Sequence, residues 1–181
     1  MLWEAILLGI IIGWLRNGKL KYLNKVSLFG WPLIILALLM QTAVWIDFNT
    51  SSGYLTTVYP FIYLISFVFL LLFIFLQNRQ AGIIIIGLGI LLNLLVITAN
   101  RGMMPVDSTR MPSSVAEELA SGVKSPFHTT ITDNTWLDCL GDRIPIPYRG
   151  NQLLSIGDIF IGCGILIFIQ HNMLKKRQPK H

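Results

Sequence analysis

The run AGIIIIGLGILLNLLVI, residues 81–97, contains no charged residue, and its one polar side chain is Asn93. Roughly 17 to 25 apolar residues at 1.5 Å rise cross a hydrocarbon core, so this run reads as a membrane-spanning helix. Working outward, four more apolar stretches appear: Leu2 to Leu15, Val26 to Ile46, Val58 to Leu76 and Leu153 to Ile169. The 181-residue chain is 54% hydrophobic and 13% charged, with a mean hydropathy of +0.64. A soluble domain carries about 25% charged residues. The composition therefore excludes an ordinary globular protein and a disordered chain, and two cysteines exclude a disulfide scaffold. The Leu and Ile content excludes a collagen-like or coiled-coil chain.

These stretches predict an all-α integral membrane protein, a five-helix transmembrane bundle forming one membrane domain over residues 1–181. The spans are placed at about 2–17, 26–46, 58–76, 81–98 and 152–170, with a structured extracytoplasmic cap at 99–151 and a basic cytoplasmic tail at 171–181. The first run is short and must borrow Arg16 to Leu20 by snorkelling, or cross a thinned bilayer. It does not read as a cleaved signal peptide: Glu4 stands where a basic segment belongs, the cations follow the apolar run, and no small-x-small site appears.

Charge sets the orientation. Arg16, Lys19, Lys21, Lys25, Arg79, Lys175, Lys176, Arg177 and Lys180 fall between spans one and two, between three and four, or after span five, with no acid among them. All nine acids lie on or near the other side. The positive-inside rule then puts the N-terminus outside and the C-terminus inside. A basic inner face suits anionic lipid, so the net charge of +5 calls for membrane lipid and no nucleic-acid partner.

The long segment Thr98 to Gln152 carries turn and capping signals. Ser114 and Glu117 fit a capping box and Gly122 a helix stop. Phe127 to Thr132 is rich in β-branched residues, Asp133-Asn134 suits a turn, and Ile144-Pro145-Ile146-Pro147 favours extended backbone. The segment is predicted to pack as a cap over the helix ends.

A polar residue inside a span is costly and is a functional candidate by default. Span five offers Ser155, Asp158 and Gly162 at spacings of three and four, hence on one face. Span four offers Gly82, Gly89, Asn93 and Asn100 at steps of seven, four and seven, small residues that permit close approach and an amide that bonds across it. Gln41 in span two is a third polar group at similar depth. Antiparallel packing of spans four and five would gather Asn100, Arg101, Asp142, Ser155 and Asp158 around one cleft, with Gly82, Gly89, Asn93 and Gly162 as packing positions. The alternative is that Asn93, Gln41 and Asp158 only stitch helices together. Arg101 suits either Asp158 or an anionic ligand such as a phosphate, or an interfacial pairing with a loop acid or lipid headgroup. His128, Asp133, Asp138, Cys139 and Asp142 match no zinc or calcium spacing, so neither metal nor cofactor is expected. No nucleophile elbow, Walker loop or His-Glu-x-x-His is present.

Three ordered strings, Asn100-Arg101-Gly102-Met103-Met104-Pro105-Val106, Leu140-Gly141-Asp142-Arg143-Ile144-Pro145-Ile146-Pro147 and Ser155-Ile156-Gly157-Asp158, follow Gly13-Trp14-Leu15-Arg16-Asn17-Gly18. Together they resemble a family of bacterial multi-pass membrane proteins catalogued only as a domain of unknown function. A small residue more often follows the first Asn in that pattern, so Arg101 departs from it. The resemblance implies a bacterial inner-membrane location and brings no activity. The function expected is a non-enzymatic accessory or assembly subunit of a membrane complex, with a membrane-protein complex or a homodimer as its partner state. Alternatives are a transporter or binder of an outer-leaflet anionic lipid or small ion through the extracytoplasmic cleft, and an interfacial hydrolase.

Overall fold

The computed structural model describes residues 2–146 and 152–174. It is mostly helical: α1 (Leu2–Leu15), α2 (Pro32–Asn49), α3 (Tyr59–Phe75), α4 (Ala81–Ala99), a short α5 (Ser113–Ala120) and α6 (Ile156–Leu174). Four of these, α2, α4, α6 and α3 with its preceding turn, are long and apolar enough to cross a membrane. The fifth apolar helix, α1, has 14 residues. The expected end of span five near Asn151, the tail residues 175–181 and Pro147 lie outside the described residues.

The second span starts later and ends later than its hydropathy suggests. Residues Leu20–Lys25 form a 3-10 helix, Gly30 takes φ +73, and α2 begins at Pro32. A left-handed glycine reverses the chain, and a proline without an N–H is tolerated in a first helical turn. At the other end α2 runs past Ile46 because Asp47 has work there. Its carboxylate accepts from the N–H of Tyr54 (3.2 Å) and of Leu55 (3.0 Å) and from the Tyr59 hydroxyl (2.7 Å). A buried charge with three donors is tolerated where a bare one is not.

The helices stand in a row, α1–α6–α4–α3–α2. Ala5, Gly9 and Gly13 recur every four residues and are the buried positions of α1. This small-residue stripe sets Gly9 against Ile169 and Gly13 against Met173, so α1 and α6 run parallel. Gln170 Nε2 donates to the Gly9 carbonyl at 2.6 Å across the same contact. On the far side of α6, Gly82 faces Gly164 and Phe168 while Gly89 faces Gly157 and Ile161, an antiparallel packing with α4. Gln41 donates to Ser66 Oγ at 2.8 Å, tying α2 to α3 and not to the α4–α6 contact.

Between α4 and α6 lies the segment expected as a cap; it is only partly helical, in a molecule that is mostly helical. Strand β1 (Met104–Val106) pairs in parallel with β2 (His128–Thr130), and β3 (Ile144–Pro145) pairs antiparallel with β4 (Leu153–Leu154). Asp142 extends the first sheet: its N–H donates to the Pro105 carbonyl at 2.9 Å, and its carbonyl accepts from the Asp107 N–H at 2.9 Å. Extended backbone thus appears within the β-branched and proline-rich segments where it was expected. The Ser114 capping box does not form: α5 begins at Ser113, directly after Pro112, so Ser114 sits inside its first turn. With Pro112 as the N-cap, the helix opens two residues earlier than it would from a Ser114 cap.

Candidate functional site

Ser155-Ile156-Gly157-Asp158 turns out to be a reciprocal helix cap. Ser155 Oγ accepts from the Asp158 N–H at 2.9 Å, and Asp158 Oδ2 accepts from the Ser155 N–H at 3.2 Å. This satisfies two of the orphan donors at the start of α6. Asn93 of α4 completes the arrangement: its Nδ2 donates to Asp158 Oδ1 at 3.0 Å, and its Oδ1 accepts from Ser155 Oγ at 2.9 Å. The close approach comes from glycine. A Cβ on Gly157 would lie 2.7 Å from the Gly89 carbonyl, and one on Gly82 would lie 2.5 Å from the Phe168 N–H. Gly157 and Gly164 on α6 face α4, and Gly162 is buried in the same helix. Ser155, fully buried, has its hydroxyl engaged both as donor and as acceptor, which leaves no free nucleophile there.

A different carboxylate is left open. Asp142 is 7% exposed, and its Oδ1 is buried without a hydrogen-bond partner among the described residues. Its Oδ2 stands 3.7 Å from His128 Nε2, beyond hydrogen-bond length. Burial pushes the Asp142 carboxyl up to about 8, and the nearby charge of Asp158 adds to the rise. The His128 imidazole is held below its ordinary range by burial, against the opposing pull of Asp158. Its side chain is 37% accessible where it borders a recess. At neutral pH both groups therefore favour their uncharged forms. Tyr63 of α3 lies in the same neighbourhood, with its ring stacked on Phe127 at 4.4 Å between centroids.

Asp142 and His128 line a cleft of about 290 Å³ under the cap. Val106, Met111, Val115 and Leu119 form one apolar wall and Ile146, Leu153 and Leu154 another. Lys124 also borders it, but its ammonium is 3.2 Å from Glu118 and so is partly neutralised. The neighbouring cations are committed as well. Arg143 pairs with Asp138 at 2.9 Å and approaches Asp107 at 3.6 Å, and Arg110 pairs with Asp107 at 2.9 Å. The Thr109 hydroxyl and Arg110 together hold the Asp107 carboxyl below its usual range.

The five residues expected around one cleft divide into three groups. Ser155 and Asp158 sit together in the helix cap, and Asp142 lies above them close enough for their charges to interact. Asn100 and Arg101 do not join them. Asn100 donates to the Trp136 carbonyl at 2.8 Å and accepts from the Trp136 N–H at 3.0 Å, clamping the cap to the end of α4. Arg101, in a left-handed conformation with φ 58, borders a separate recess with Thr129, Thr132 and Asp133. The physical reason is the turn: Gly102 at φ +85 packs against Pro60, swinging the chain toward α3 after Asn100. His128 was visible in the sequence only as one of several scattered polar loop residues. What brings it to Asp142 is the parallel pairing of β1 with β2, which local sequence does not announce. Among the described residues no three His, Cys, Asp or Glu side chains gather in a metal-binding arrangement.

Comparison with known proteins places this architecture among uncharacterised relatives. An uncharacterised protein of Thermotoga maritima is 29% identical over 177 residues, covering 97% of this chain and 91% of that protein. No solved structure matches. The model of a family of unknown function, DUF5317, matches residues 25–170, and the chain belongs to that family.

Proposed function

We propose that the protein is a multi-pass inner-membrane binding protein whose extracytoplasmic cap receives an amphiphile with an apolar body and a cationic head. The orientation follows from charge: Asp47 and Asp158 stand at the end of the helices that carries the cap, and Arg16, Lys19, Lys21 and Arg79 at the other. The observation that carries the reading is the Oδ1 of Asp142, without a hydrogen-bond partner among the described residues, in a cleft with two apolar walls. A buried polar atom without a partner costs roughly 1–3 kcal/mol, and a ligand that supplies the partner recovers that cost.

The sign of the charge selects among ligands. Asp142 and a neutral His128 line the cleft, the charge of Asp158 reaches both, and Arg110 and Arg143 are paired within the cap. An anionic lipid headgroup would meet repulsion there, so a cation fits better than the phosphate first considered for Arg101. Ser125, whose Oγ is 2.7 Å from His128 Nδ1, supplies the residue types of a nucleophile, a base and an acid. A hydrolytic series needs the acid ionised beside the imidazole, whereas Asp142 favours its neutral form at pH 7. Ser125 Oγ also accepts from the Phe127 N–H at 3.2 Å, a local turn contact. Binding without chemistry is the better fit.

Calorimetry on the full chain in nanodiscs tests this with dodecyltrimethylammonium, whose head does not titrate, against dodecanoate. The cation should bind at least tenfold more tightly at pH 8.5 than at pH 6.5, and Asp142→Asn should remove that gain. Equal binding of dodecanoate, or cation binding indifferent to Asp142→Asn, would overturn the reading in favour of the accessory-subunit role.

A further inference from the structure

A second recess lies at the opposite end of the molecule, between α3 and α4. Its volume is about 370 Å³, and Leu71, Ile74, Ile83, Ile84, Leu88 and Leu91 line its length. Both helices are among those long and apolar enough to cross a membrane. From Ile83 to Leu91 the groove follows α4 for about 12 Å at 1.5 Å per residue. At its end, in the turn joining the two helices, stand Gln77 and Arg79. Gln77 is fully engaged: its amide donates to the carbonyls of Phe29 (2.6 Å) and Phe73 (2.7 Å), and its oxygen accepts from the Phe29 N–H (3.2 Å). Arg79 is exposed and, among the described residues, is in ion-pair contact with none of the nine acids, which all lie toward the other end or in the cap.

We infer that this groove is a binding site for one anionic phospholipid of the leaflet facing the basic end, with an acyl chain along α3–α4 and its phosphate on the Arg79 guanidinium. The apolar lining matches a hydrocarbon chain, which gains dispersion contacts only if it fills the groove. The guanidinium fork matches two phosphate oxygens, and no protein carboxylate competes for it. Arg16, Lys19 and Lys21 at the same end of the bundle add a field that favours an anionic over a zwitterionic headgroup. Gly87 borders the groove without filling it: a Cβ there would lie 2.8 Å from Ile74, so α3 and α4 touch at that point. The inference rests on the membrane placement of the helices and not on the ligand of the cap.

Native mass spectrometry of the full chain, released from nanodiscs of equal phosphatidylglycerol and phosphatidylcholine, reads the bound lipid directly. Wild type should retain phosphatidylglycerol at least fivefold over phosphatidylcholine. Arg79→Gln should bring the two to parity, and Leu88→Trp, which fills the groove from its exposed side, should reduce retention of both. Arg101→Gln, at the other end, should change neither, and melting curves in phosphatidylcholine should show all three variants folded. Parity in wild type, unchanged selectivity in Arg79→Gln, or a groove closed by a second copy of the chain and seen as a lipid-free dimer would each overturn the inference. Failure of the cap to bind a cation would leave this result unaffected.

Discussion

His128 Nε2 and Asp142 Oδ2 face each other at 3.7 Å across the floor of the cap cleft, too far apart for a hydrogen bond. The parallel pairing of Met104–Val106 with His128–Thr130 sets one side of this gap, and the bridge from Val106 to Asp142 sets the other. Because both partners hang from the same small sheet, the gap is a backbone property.

The first consequence is a pH dependence of stability. The Asp142 carboxyl, about 4 in an unfolded chain, is raised to about 8 by burial. Stability from this group is therefore complete below pH 4 and is lost as pH rises through 8. His128, held below its ordinary 6.5, acts in the opposite sense at lower pH. Between about pH 6.5 and 8 only the Asp142 contribution changes, with a slope of at most about 1.4 kcal/mol per pH unit. Thermal unfolding in that window should show a falling melting temperature for wild type and a flat one for Asp142→Asn.

Removing the charge of Asp158 should move that window. Asp158 is the second cause of the raised Asp142 carboxyl, so Asp158→Asn should shift the fall in melting temperature to lower pH while burial keeps it above 4. The amide preserves shape and one acceptor for the Ser155 cap. A variant that unfolds on extraction, or a window that does not move, would contradict this coupling.

Packing at the glycine seam predicts a large effect from one methyl group. A Cβ on Gly157 meets both the Asn93 amide and the Gly89 carbonyl, neither of which has room to retreat. Gly157→Ala should destabilise by roughly 1–3 kcal/mol, the usual cost of overpacking a well-filled contact. By contrast Gly53→Ala, with open space around it but φ +71, should cost only the smaller conformational penalty. Melting temperatures of the two variants side by side make the comparison.

Ser155→Ala removes a helix cap and the donor to buried Asn93 Oδ1 together. Caps of this kind contribute about 1 kcal/mol, and an unsatisfied buried acceptor costs about 1–3 more. Chemical denaturation of the purified protein should register the sum, while a fluorophosphonate probe should label wild type and variant equally, because this hydroxyl is structural.

Asn100→Ala should loosen the cap without touching its cleft. The Asn100 side chain holds the Trp136 backbone by two hydrogen bonds, at 2.8 and 3.0 Å. Amide exchange over residues 132–140 should accelerate at least tenfold, with cation binding at Asp142 unchanged. Equal loss of binding would mean that the two recesses of the cap act as one.

Much of this protein is determined by local sequence. The runs at 81–97 and 58–76 are long and apolar enough to cross a membrane, where a helix is the form that satisfies their backbone from within, and Gly82, Gly89 and Asn93 mark the face that α6 covers. Ser155 and Asp158 announce their partnership by a spacing of three. Tertiary structure decided the rest, because the relevant forces act between segments far apart in the chain. Asp47 remains helical beyond the point where hydropathy ends, since donors from Tyr54, Leu55 and Tyr59 surround it. Arg101 departs from the cleft expected for it because Gly102 turns the chain onto Pro60. Asp158, the most conspicuous charge within a span, is satisfied by its neighbours, whereas Asp142, one loop acid among several, is left with an open oxygen. Whether a buried carboxylate is structural or available depends on the donors that reach it, and those arrive only when strands 24 residues apart in sequence, at Met104 and His128, come into register.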